Sequence, residues 1–64
     1  MTTYTIALRG GATLEVKEET KNLITEFQLF RTRKERGDEL GNESLLIGQG
    51  WIIDLDEVVA VVAR

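Results

Sequence analysis

The run Val58-Val59-Ala60-Val61-Val62-Ala63 constrains this chain more than any other feature. Four of its six residues are Val, and β-branched side chains favour extended backbone over helix. On a two-residue period, Val59, Val61 and Ala63 face one way and Val58, Ala60 and Val62 the other. Both faces are therefore apolar, whereas a strand in a small two-layer domain has one face covered. A chain of 64 residues has little left with which to build a second layer. At this length the gain from burial and the entropy of ordering nearly cancel, so small domains take a staple, a metal or a partner. There is no Cys for a disulfide and no His for a metal. Self-association is the expected support, with Trp51, Val58, Val59, Val61 and Val62 at the oligomer interface.

The preceding segments read as a small α+β domain. Tyr4, Ile6 and Leu8 alternate with Thr5, Ala7 and Arg9, and Ala12, Leu14 and Val16 alternate with Thr13, Glu15 and Lys17. Gly10-Gly11 between them suits a two-residue turn with both φ values positive, so a hairpin over 3–9 and 12–17 is expected. Leu23, Ile24, Phe27 and Phe30 form one helical stripe, with Glu18 and Glu19 ahead of it where a helix dipole favours acid. This predicts a helix over about residues 18–30, with Phe27 and Phe30 in the core. A competing reading stays open, because Thr25, Phe27, Leu29 and Arg31 also share strand parity.

Residues 31–44 contain one apolar residue, Leu40, and read as a solvated loop or a frayed helix extension ending at Gly37. Leu45-Leu46-Ile47 and Trp51-Ile52-Ile53-Asp54-Leu55 are strand candidates around Gly48-Gln49-Gly50, and Asp56-Glu57 breaks the chain before the Val run. The expected architecture is a single domain, residues 1–64, in the order β-β-α-β-β-β: a small antiparallel sheet with one packed helix.

Few residues point to chemistry. Asp54, Asp56 and Glu57 lack the glycine and distal Glu of a calcium loop, and turns favour Asp in any case. Ser44 is the only serine and has no His or Cys to activate it. The carboxylates Glu15, Glu18, Glu19 and Glu26 fall on elements expected to be exposed, with nothing to raise a pKa. No catalytic residue, metal site or cofactor is expected. Arg31, Arg33, Lys34 and Arg36 form a basic cluster that could contact a protein partner or phosphates. Asp38, Glu39 and Glu43 follow at once, and the net charge of −3 opposes nucleic acid. Trp51, the single Trp, is the natural aromatic anchor of a contact.

No segment approaches the roughly 20 apolar residues of a membrane span. Met1-Thr2-Thr3-Tyr4 has neither the basic region nor the apolar core of a secretory signal, so a cytoplasmic location is expected.

The aromatic strand, acidic turn and Val strand of residues 51–62 resemble those of small uncharacterised proteins encoded by bacteriophages and prophages. The resemblance implies an accessory role, binding and modulating another protein, and brings no catalytic residue with it. The function expected is thus a self-associating, protein-binding accessory domain. A nucleic-acid-binding accessory using residues 31–36, or a purely structural subunit, are the alternatives.

Overall fold

The computed structural model describes all 64 residues, in the order anticipated from the sequence. Strands β1 (Thr2–Leu8), β2 (Thr13–Glu18), β3 (Leu45–Gly48), β4 (Trp51–Asp54) and β5 (Val58–Ala63) surround one helix, α1 (Leu23–Glu35). All strand pairing is antiparallel, and the strands divide between a three-stranded sheet, β2-β1-β5, and a separate hairpin, β3-β4.

The β1–β2 register follows the apolar pattern. Tyr4 lies opposite Val16 and Ile6 opposite Leu14, so apolar side chains meet across the pair. The expected two-residue turn would have shifted this register by one, setting Tyr4 against Lys17 and Ile6 against Glu15. Instead three residues, Arg9 to Gly11, form the loop, closed by Leu8 N–H donating to the Ala12 carbonyl at 2.7 Å. Gly10 and Gly11 do take positive φ, at 92° and 95°. The Arg9 N–H donates instead to the Glu57 carbonyl, 2.8 Å away, which ties the turn to the segment preceding β5.

The helical reading of the Phe27 segment holds, but the helix is displaced from residues 18–30 to Leu23–Glu35. Glu18 belongs to β2, and the start is fixed by Asn22, whose side-chain oxygen accepts from the N–H groups of Ile24 (3.1 Å) and Thr25 (3.2 Å). Leu23, Phe27 and Phe30 are buried and Ile24 is half-buried, as their spacing predicts. The solvated loop is correspondingly shorter than residues 31–44. Arg31 to Glu35 remain helical, Gly37 follows at φ 80°, and Gly41–Ser44 coil into a 3₁₀ turn. Arg31, Arg33, Lys34 and Glu35 are good helix formers and continue a helix already nucleated, without any apolar face of their own.

The core consists of Tyr4, Ile6, Val16, Leu23, Phe27, Phe30, Leu46, Ile53, Leu55 and Val58. It lies between α1, one face of the three-stranded sheet and the inner side of the β3–β4 hairpin. In β5 the simple alternation fails. Ala7 pairs with Ala60 and Leu8 with Val58, so Val59 is an extra, bulged residue. The bulge changes the parity: Val58 is buried and Val61 half-buried against the core, while Val59 and Val62 are exposed.

Candidate protein-contact surfaces

The residues singled out in the sequence fall on three surfaces. The first is the C-terminal half of α1. Because residues 31–35 are helical, Arg31 and Lys34 share a side, and the two cations sit over aromatic rings of the preceding turn. The Arg31 guanidinium is 5.8 Å from the Phe27 ring centre and the Lys34 ammonium 5.6 Å from that of Phe30. Three of the four basic residues are already engaged by carboxylates. Arg33 pairs with Asp38 at 3.7 Å and with Glu43, Arg36 with Asp38 at 2.9 Å, and Lys34 with Asp56. The acidic stretch after the helix thus folds back on the basic one. Arg31 alone has no carboxylate within ion-pair distance.

Beside Arg31 lies an open cleft of about 460 Å³ between α1 and the start of β5. Phe27, Phe30, Leu55 and Val58 line its apolar part, and its polar rim carries Arg9, Arg31 and Lys34 together with Glu35 and Asp56. Arg9 was not among the residues selected from the sequence. It arrives here because its guanidinium donates to the Asp56 carbonyl at 2.8 Å, from a turn remote along the chain. Only the long-range register places it, so no local signal could have found it.

The second surface is the β3–β4 hairpin. Leu46 and Ile53 face inward, and Gly48 with Trp51 lies on the same side. Trp51 is half-buried over Gly48, and its Nε1–H is buried without an acceptor. It is thus an intramolecular packing residue with a partly accessible ring. The outward side carries Leu45, Ile47 and Ile52, the last two 53% and 67% exposed and directly opposite each other. These were missed as contact residues, although each lies next to Leu46 or Ile53 in the strand, which places it on the other face.

The third surface is β5. Of the predicted interface residues, Val58 is corrected to the core, where the bulge turns it inward, and Val61 packs partly against the same core. Val59 and Val62 remain exposed. Trp51 lies on the hairpin, which does not pair with β5, so the sheet topology does not join the predicted interface residues into one patch.

Three more of the polar residues weighed in the sequence complete local turns. The Asp54 carboxylate accepts from the Asp56 N–H at 2.9 Å, capping the short 3₁₀ turn Leu55–Glu57. The Ser44 hydroxyl donates to the Gly41 carbonyl at 2.9 Å. Glu18 accepts from the Thr20 N–H at 3.1 Å and its hydroxyl at 2.9 Å. Those bonds, the backbone one foremost, hold its carboxyl below the ordinary value. No helix is long and apolar enough to cross a membrane.

No family model matches this sequence, and no curated protein or solved structure matches it either.

Proposed function

We propose that this chain is a small accessory domain that binds protein, associates with itself and carries out no catalysis. The observation that carries the reading is the amount of apolar side chain left outside a finished core. Ile47 and Ile52 on the hairpin, and Val59 and Val62 on β5, are each more than half exposed in a chain of 64 residues. Isolated apolar residues are ordinary on a surface, but an opposed pair such as Ile47 and Ile52 buries readily against a partner. A cytoplasmic setting and the accessory role implied by residues 51–62 belong to the same reading.

The absence of catalysis is supported by how the polar groups are used. The Ser44 hydroxyl and the Asp54 carboxylate complete turns, and Asp38, Glu43 and Asp56 neutralise the basic end of α1. For a foreign protein, the cleft beside Arg31 offers an aromatic floor and two cations, Arg9 and Arg31, without a carboxylate partner. Phosphate recognition is less favoured, since Arg33, Lys34 and Arg36 would first have to be released from their carboxylates.

Sedimentation equilibrium from micromolar to millimolar protein tests the self-association. A mass rising above 7.2 kDa is expected. A cooperatively folded monomer over the whole range would overturn the reading.

A further inference from the structure

We infer that a second copy of this chain pairs with β5, edge to edge and antiparallel about a twofold axis, so that two three-stranded sheets join as one of six strands. This deepens the self-association proposed above and rests on it. β5 has a strand on one side only, since the sheet order is β2-β1-β5. The Arg64 N–H donates to the Thr3 carbonyl at 2.8 Å, which fixes the phase of the ladder. Bonded pairs alternate along an antiparallel ladder, so Ala60 and Val62 also turn their backbone groups toward β1. Val61 and Ala63 turn their N–H and C=O groups to the open edge.

The two edges of the sheet are unlike. β2 carries Glu15, Lys17 and Glu18, and charged side chains are the ordinary means of keeping an edge strand from pairing. β5 carries no charge and no proline. Its ends do carry charge, and of opposite sign: Glu57, which has no ion-pair partner, precedes the strand, and Arg64, which reaches across the sheet to Glu15 of β2, follows it. Antiparallel pairing centred on Val61 sets Arg64 of each copy opposite Val58 and next to Glu57 of the other, and no like charges meet along the strand. A parallel arrangement would stack acid on acid and base on base. The same pairing brings Ala60 and Val62 of both copies together on the sheet face opposite α1, where Val62 is now 57% exposed. A second copy in antiparallel register therefore meets the unpaired backbone, the apolar side chains and the charge pattern together.

Amide exchange resolved by residue, combined with sedimentation, tests the pairing on the unaltered protein. In dilute monomer the Val62 and Arg64 amides should be protected, with Val61 and Ala63 exchanging about tenfold faster or more. At concentrations where the mass doubles, Val61 and Ala63 should slow to match. Ala63→Pro removes an outward donor that β1 does not use, so it should weaken association on the order of tenfold and leave the monomer's unfolding midpoint nearly unchanged. The edge pairing leaves the outward face of the hairpin free for a foreign protein, so Ile52→Lys should leave the association constant unaltered. An oligomer in which the Val61 and Ala63 amides stay fast, or one lost with Ile52→Lys and kept with Ala63→Pro, overturns the edge pairing while self-association stands. A monomer at every concentration overturns both.

Discussion

The indole ring of Trp51 lies across Gly48, its partner on the facing strand, and fills the space that a side chain there would occupy. The glycine at this position is thus required by a neighbour and not by its own backbone angles. Gly48→Ala should displace the ring, open the hairpin and destabilise the fold by about 1–3 kcal/mol, the usual cost of overpacking. Urea unfolding followed by Trp51 fluorescence measures it, and the emission of the folded variant should shift to the red. An unchanged midpoint with unchanged emission would show that the indole moves aside freely.

Asn22 decides where α1 begins. Its side chain satisfies the N–H groups of Ile24 and Thr25, two of the donors that the first helical turn leaves open. Asn22→Ala should cost about 1 kcal/mol, and Asn22→Asp should retain most of the stability, since its carboxylate can accept the same bonds. The check is thermal unfolding of both variants beside the parent. Equal losses in the two would mean that the cap contributes nothing through its side-chain oxygen.

These two positions also mark the limit of what could be read from the chain. The order of elements, the place of the first turn but not its length, and the stripe of Leu23, Phe27 and Phe30 follow from local sequence pattern, which is strong wherever one face must be buried. The boundary of α1 did not follow. Glu18 and Glu19 are plausible first-turn residues, but β2 runs on to Glu18 opposite Thr2, and a ladder partner far along the chain outweighs a weak dipole preference. Likewise the surface use of β5 turns on the bulge at Val59, which depends on pairing with Ala7 and Leu8. The Val run itself carries no mark of it. Ile47 and Ile52, in contrast, were readable as an outward pair from their alternation with Leu46 and Ile53.

The turn after β2 should respond to acid. Hydrogen bonds from Thr20, the backbone one first, stabilise the charged form of Glu18 and lower its pKa in the folded chain. A carboxyl lowered on folding adds stability that is present above its unfolded value and lost as the pH falls through the folded one. Glu18→Gln should therefore lower the unfolding midpoint at about pH 7, and the difference should close by about pH 2, where both side chains are neutral. Glu18 lies at the surface, partly covered, and solvent screens its charge, so the effect is small. A difference that is the same at both pH values would place the role of Glu18 outside its charge.

Arg33 bridges from α1 to Asp38 and Glu43, and Arg36 joins Asp38, so the connection after the helix is laid against the helix that precedes it. The pairs are partly exposed and add little stability, but they decide whether the basic cluster is available to an anion. With a net charge of −3 and these carboxylates in place, the unaltered chain should bind neither duplex nor single-stranded nucleic acid at about 0.15 M salt. Replacing Asp38 with Asn and Glu43 with Gln frees Arg33 and Arg36 and moves the net charge from −3 to −1, two negative charges fewer. That double variant should gain weak binding in low salt, with an affinity that falls as salt is added and a slope that tracks the number of cations released. Fluorescence anisotropy of a labelled oligonucleotide across a salt series reads both results. Micromolar binding by the unaltered chain at about 0.15 M salt, lost with Arg33→Ala and Arg36→Ala, would mean that phosphates displace the carboxylates. The nucleic-acid reading of residues 31–36 would then replace the protein-binding one.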